Sequence, residues 1–276
     1  MKASVIGLFA EKSLHPGTES SAGVIDLPVA REVATGYPVI VGSSLKGALK
    51  DNARLNWSMD EEGINKIFGV QDNAGAIAVT DARILLLPVR SLTGHYKWVT
   101  CPYLLERFQR DLNMAGIECT LSFAKPEQGT AITKEQDKLF LEELSFNAVD
   151  KDLSEVAVYI SKIIKHQSCC DRLLQQLVVL SDDDFAHFAA YGLQVNARNR
   201  LNEATKTSEN LWYEETIPAD SLFYALIICR PGEEESLNEL KQLFTELPYL
   251  QVGGNETIGQ GWCAVTWLEQ GGIISE

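Results

Sequence analysis

The chain has 276 residues, 45% hydrophobic and 22% charged, ample for a packed core built as one elaborated domain or two small ones. Its formal net charge of -14 argues against a protein that coats nucleic acid by bulk positive charge, and leaves room for a local basic groove in an acidic shell. Six cysteines without a C-x-x-C pair and four scattered histidines argue against a zinc site and fit a reducing cytoplasm.

The first apolar run, Ala3 to Ala10, is too short for a membrane span and lacks a cleavage signature, so it reads as a buried strand. A loop rich in Ser and Gly follows, with His15-Pro16-Gly17 inside it. Val24 to Val29 is a short apolar run interrupted by Asp26. A lone carboxylate among apolar neighbours is costly unless it is paired, makes a turn or faces a site, and both a turn-making and a functional role are open.

After the extended run Tyr37 to Val41, Gly42-Ser43-Ser44 opens a helix expected from Ser44 to about Trp57. Gly42 lets the chain turn, and Ser43 or Ser44 is expected to cap the first amides. Lys46, Lys50 and Arg54 recur every four residues and share one face. A capped N-terminus beside a basic stripe suits a phosphodiester backbone, although a solvated helix shows the same pattern. The G-x-x-x-x-G-K-[ST] order of a nucleotide-binding P-loop is absent.

Further along, the pattern predicts a short helix from Asp60 to Phe68, one long strand from Ala76 to Val89, a run from Trp98 to Pro102, and a helix from Tyr103 to Leu112. Residues 116–150 have a weak pattern and read as an insertion with loose strands. Leu173 to Leu180 has helical apolar spacing. Ser181 followed by Asp182, Asp183 and Asp184 reads as an N-cap with acids in the first helical turn rather than as a metal site.

Leu193 to Arg200 alternates as a strand with Arg198 and Arg200 on one side, and Leu211 to Pro218 returns after a polar turn. A protruding hairpin over about residues 196–217 follows, with Glu214 and Glu215 at its foot. Ser221 to Cys229 is a strong strand, Glu233 to Leu247 an acid-initiated helix, and Trp262 to Leu268 a final strand. Between them, Gly253 to Gly261 holds four glycines in nine residues, a loop whose backbone can approach another chain closely. Strand, helix and strand at each end predict an α+β fold over residues 1–276. Its core is expected to be ferredoxin-like (RRM-like), with insertions at about 116–191 and the protruding hairpin.

Several blocks together resemble the RAMP superfamily of CRISPR proteins, whose mark is a glycine-rich loop such as Gly253 to Gly261. His15-Pro16-Gly17, Gly23 to Pro28 with Arg31-Glu32, Pro38 to Lys50, and Pro88 to Leu92 with Val99 to Pro102 look most like the repeated backbone subunit of the type III-B (Cmr) effector. The resemblance implies subunits stacked in a helical filament along a guide CRISPR RNA, beside other type III-B subunits and away from any membrane. Each would push a thumb-like hairpin through the guide–target duplex, displace one base pair, and cut the target RNA there with a divalent metal, Mg²⁺ or Mn²⁺.

The catalytic and metal-holding residue so implied is Asp26, with 2′,3′-cyclic phosphate products. His15 is a candidate acid or base, or else a loop anchor. Glu214 and Glu215 are candidates to orient the metal or the 2′-OH, or else plain solvated charge. Guide contacts are expected from Ser43, Ser44, Lys46, Lys50, Arg54, Arg198 and Arg200, and from the backbone around Gly253, Gly254, Asn255, Gly259 and Gly261. They should be independent of sequence, since pairing supplies specificity. Two other readings are a catalytically silent scaffold and a metal-independent ribonuclease that matures guide RNA with His15 as base. The acidic charge and the lack of a His/Tyr/Lys cluster count against the last.

Overall fold

The structure is a computed structural model that describes residues 2–18, 23–56, 59–135, 137–269 and 272–273. β1 (Lys2–Ala10) is apolar almost throughout because it lies inside the sheet, paired antiparallel with a strand on either side. At its centre a Cβ on Gly7 would meet Ile163 O at 2.2 Å, so only glycine lets the 163 turn cross this strand.

β2 (Val39–Ile40) leads into α1 (Gly42–Asn56), and Asp60 caps α2 (Glu61–Phe68) by accepting from Gly63 N–H. A small hairpin, β3 (Gly69–Val70) and β4 (Asn73–Ala74), follows. The single long strand expected next is two, β5 (Ile77–Val79) and β6 (Ala82–Arg90). The break falls at Thr80 and Asp81, where Asp81 Oδ1 accepts from Gly42 N–H at 2.7 Å. The cap of α1 is therefore Asp81, brought across from the sheet, and Ser43 and Ser44 lie exposed inside the first turn instead of capping it.

β7 (Tyr96–Thr100) and α3 (Pro102–Met114) come next. Residues 116–191, expected as an insertion, contain β8 (Thr130–Ile132), β9 (Lys138–Leu141), β10 (Leu144–Val149), α4 (Ser154–Ser161), α5 (Gln167–Gln176), β11 (Leu177–Val179) and α6 (Asp182–Tyr191). Helical spacing over Leu173 to Leu180 fails midway. Leu177, Val178 and Val179 are buried and form a strand parallel to β7, a short apolar run that periodicity cannot tell from a helix. Ser181 does cap α6, accepting from Asp184 N–H.

The chain closes with β12 (Gln194–Leu201), β13 (Ser208–Thr216), β14 (Leu222–Cys229), α7 (Glu234–Glu246), β15 (Tyr249–Gln251), a 3-10 turn at Glu256–Ile258, β16 (Trp262–Glu269) and β17 (Gly272–Ile273). One mixed sheet runs in the order β15-β16-β1-β14-β6-β7-β11-β8-β10-β9. The α+β reading holds, while a separate ferredoxin-like core is not delimited: the central strands continue into those of residues 116–191, whose β11 covers the edge of β7. Among the described residues, no helix is long and apolar enough to cross a membrane.

The core beneath the sheet is aromatic. Phe9 meets Trp98 edge to face, and Trp98 Nε1 donates to Asp220 O at 2.8 Å. Buried Tyr224 donates its hydroxyl to Asp111, which also pairs with Arg83. β12 and β13 stand outside the main sheet as their own two-stranded ribbon.

Candidate functional site

Four stretches of chain converge where the β12–β13 ribbon leaves the body. Leu14 exchanges main-chain hydrogen bonds with Ile217, at the foot of the ribbon. On its other side the same stretch holds the glycine-rich loop: Gly254 N–H donates to His15 O and Gly261 N–H to Ser13 O. A Cβ on Gly253 would meet His15 O at 2.6 Å, and Gly253 has a φ of +83°, so both close approach and backbone conformation demand glycine there. The fourth stretch, residues 26–31, runs along β13. Leu27 N–H donates to Tyr213 O, and Glu215 N–H donates to Leu27 O.

Asp26 is half-exposed at the start of that stretch. Its Oδ2 accepts from Tyr213 N–H at 2.8 Å, and Oδ1 takes no hydrogen bond from the described residues. Among the described residues the carboxylate is thus held by one oxygen only. Glu214 and Glu215 are not solvated charge, since each is only 3% exposed. Strand alternation sends them to opposite faces of the ribbon. Glu214 Oε1 accepts from Asn255 Nδ2 at 2.5 Å and pairs with Arg198 at 3.2 Å. Glu215 accepts from Val29 N–H at 3.1 Å and pairs with Arg31 at 2.7 Å. Buried carboxylates persist only with such partners.

His15 is buried, and its Nδ1–H donates to Glu215 O at 2.8 Å. A carbonyl only accepts, so in the neutral ring Nε2 is the unprotonated nitrogen. The imidazole braces the ribbon foot against the glycine-rich loop. Further out, register pairs Arg198 with Trp212 and Arg200 with Asn210, so Asn196, Arg198, Arg200 and Trp212 form a polar, basic face. The opposite face carries exposed Val195, Leu211 and Tyr213. Arg200 is exposed and lies 3.5 Å from Glu209.

The stripe on α1 is elsewhere: α1 packs on α2, β5, α7 and β15. It is not a row of free cations. Lys50 Nζ donates to Asn65 Oδ1 and Gly69 O, and Arg54 pairs with Glu61 and Asp51. Lys46 is the member with neither an ion pair nor a side-chain hydrogen bond among the described residues, whereas Lys50 is held by neutral oxygens and Arg54 by carboxylates. With Ser43, Lys46 lines an open groove of about 700 Å³ that Arg230, for which the described residues also offer no ion pair, enters from the end of β14. Asn52 Nδ2 donates to Tyr249 O, joining α1 to the strand that leads into the glycine-rich loop.

The structure therefore gathers His15, Asp26, Arg198, Glu214, Glu215, Gly253, Gly254 and Asn255 into one locus. It leaves Ser43, Ser44, Lys46, Lys50 and Arg54 on a second. Gly259 and Gly261 close the loop between them with φ of +80° and +91°. Sequence reasoning missed Asp81, Arg230 and the anchoring role of Arg31, for which no local pattern exists.

The chain matches the model of the RAMP superfamily over residues 10–264. It is 39% identical over 286 residues to the CRISPR system Cmr endoribonuclease Cmr4 of Pyrococcus furiosus, covering 98% of this chain and 97% of that one. Among solved structures it resembles the oligomeric Cmr4 from Pyrococcus furiosus, with a TM-score of 0.80 at 34% identity and full coverage of both chains. It also resembles a chain of the type III-B Cmr-beta assembly bound to cognate target RNA, with a TM-score of 0.79 at 25% identity over 97% of each. The chain thus belongs to the RAMP superfamily and, within it, to the Cmr4 family.

Proposed function

We propose that this chain is the repeated backbone subunit of a type III-B Cmr assembly, which binds guide CRISPR RNA and cuts complementary target RNA at regular intervals, with Asp26 as its catalytic carboxylate. One observation carries the assignment: Asp26 is half-exposed and bonded at 2.8 Å to the main chain of the ribbon that would act as thumb. The Pyrococcus relative bears the name endoribonuclease, and the similar cryo-EM assembly holds target RNA, which supports the reading.

In a regular A-form helix the 2′-OH is off the line of attack on its neighbouring phosphorus. A ribbon wedged into the duplex displaces one nucleotide and lets that ribose rotate into line. The 2′-oxygen then bonds to phosphorus as the bond to the 5′-oxygen breaks. The 2′ proton leaves to a base, the 5′-oxygen takes up a proton, and a 2′,3′-cyclic phosphate and a 5′-OH result. Asp26 Oδ1, which takes no hydrogen bond from the described residues, orients that hydroxyl. His15 stays an anchor, because its Nδ1 is committed to Glu215 O and its ring is packed away.

Among the described residues no group of three His, Cys, Asp or Glu is placed to cage a metal. A single carboxylate still fits Mg²⁺ or Mn²⁺ as an ion shared with RNA and water, since Mg²⁺ is commonly held by one or two carboxylates plus phosphates. Asp26 would be its protein ligand, and the ion would neutralise charge on the scissile phosphate.

Thiol chemistry does not compete: the cysteines are unpaired, and burial pushes Cys101 up to about 12 and Cys119 up to about 11. Free thiols also fit the cytoplasm as compartment. Guide phosphates would run past Ser43, Lys46 and Arg230 and over the glycine-rich loop.

The test is Asp26→Ala in an assembly reconstituted with guide RNA. Guide and target stay bound and every regular cut disappears. Cutting that persists at the same positions shows that the carboxylate lies elsewhere, and a silent scaffold would not cut even before substitution.

A further inference from the structure

The geometry points to Arg31 as a positioning residue for target cutting, acting through Glu215 to hold the Asp26 stretch in register on the ribbon. The inference rests on the proposed role of Asp26. Glu215 is the hub. Its N–H donates to Leu27 O, its carbonyl accepts from His15, and its two carboxylate oxygens take Val29 N–H and Arg31 Nη2. The stretch that bears Asp26 is thus stitched to β13 at Asp26, Leu27, Val29 and Arg31 in turn.

The Glu215 carboxylate is 4% exposed, and the guanidinium of Arg31 lies 2.7 Å from it as its charge partner. Arg31 is held from behind as well. Its Nη1 donates to Gly36 O at 2.8 Å and to Ala189 O at 2.6 Å. Ala189 lies in the last turn of α6, where helix carbonyls lack helical partners and carry partial negative charge. Arg31 therefore ties three things together: the Asp26 stretch, the ribbon foot and α6. Only a planar, branched donor set reaches three acceptors in this way, which lysine cannot reproduce. A ribbon tilted by its wedge into the duplex carries the Asp26 stretch with it, and the reacting carboxylate keeps its place relative to the displaced nucleotide.

The experiment is single-turnover cutting by the guide-loaded assembly carrying Glu215→Gln, Arg31→Ala, or both. A glutamine puts an NH2 donor where one of the two carboxylate oxygens met Val29 N–H or Arg31 Nη2, and it leaves the guanidinium uncompensated. The cutting rate constant is expected to fall about 10- to 100-fold, the scale of a misplacement near 1 Å, with target affinity changed by no more than about twofold. The double variant is no slower than the slower single one, because the pair acts as a unit. The pH–rate profile keeps its shape. Unchanged rates, losses that multiply, or a profile that loses a limb in Glu215→Gln overturn the inference, the last by making Glu215 a reacting group. Should Arg31→Ala fail to assemble, Arg31→Lys keeps the charge without the branched donors and faces the same expectation. If Asp26→Ala still cuts, the underlying reading fails. If Asp26→Ala is dead while Glu215→Gln cuts normally, only the positioning role fails.

Discussion

Asn255 Nδ2 donates to Glu214 Oε1 at 2.5 Å, joining the glycine-rich loop to the foot of the β12–β13 ribbon across 41 residues of sequence. The acceptor is a buried carboxylate, so this contact matters more than an exposed one of equal length. The loop expected to meet the guide and the ribbon expected to part the duplex are one mechanical unit. Asn255→Ala should destabilise the chain by about 1–3 kcal/mol, the penalty for stripping a partner from a buried charged acceptor. Urea unfolding measures the loss, and faster hydrogen exchange at Gly261 N–H reports loosening of the loop from Ser13.

Guide binding should depend on Lys46 and Arg230 rather than on the whole α1 stripe. Lys46→Ala and Arg230→Ala should each lower the salt slope of guide affinity by about 0.7, one phosphate contact on a single strand. Arg54→Ala should leave the slope unchanged, because that guanidinium is occupied by Glu61 and Asp51. Filter binding from low to moderate salt measures all three.

Gly7→Ala should cripple folding even though the new methyl group is small and apolar. Its Cβ would stand 2.2 Å from Ile163 O, and backbone must move to relieve that. The expected loss is at least the usual overpacking cost of about 1–3 kcal/mol, seen as a lower unfolding midpoint.

Asp220 has a carboxyl held above the usual carboxylate range, chiefly by burial, and a φ of +65°. With its folded pKa raised above the unfolded value, the folded state holds the proton more tightly, so stability falls as pH rises through that window. At neutral pH the charged group is a burden. Asp220→Asn removes it and tolerates the left-handed backbone, so the melting temperature should rise at pH 7. The gain should shrink as pH falls through the raised folded value, where the native carboxyl takes up its own proton. A gain that does not vary with pH would contradict this origin.

The elements that local pattern specifies were legible in the sequence. α1, α6 with its Ser181 cap, the β12–β13 ribbon and β14 follow from residues adjacent in the chain. What the sequence hid depends on partners far apart. The helix cap on Gly42 comes from Asp81, 39 residues on, and Arg31 reaches Glu215 across 184 residues. Glu214 and Glu215 look like surface charge in a polar hairpin, and only the folding of Asn255 and Arg31 onto them turns them into buried anchors. β11 reads as helix from spacing because Leu177 to Val179 is apolar on every face, and burial on both sides makes it a strand. Lys50 and Arg54 have the spacing of a phosphate-binding stripe, and their own neighbours consume them.

The most direct measurement is target cutting by a guide-loaded assembly carrying Asp26→Asn. Asparagine retains an oxygen for Tyr213 N–H, so the stretch stays on the ribbon while the charge is lost. The account expects normal assembly, normal target binding and no cuts at any of the regular positions. Cuts at those positions with undiminished rate would contradict it.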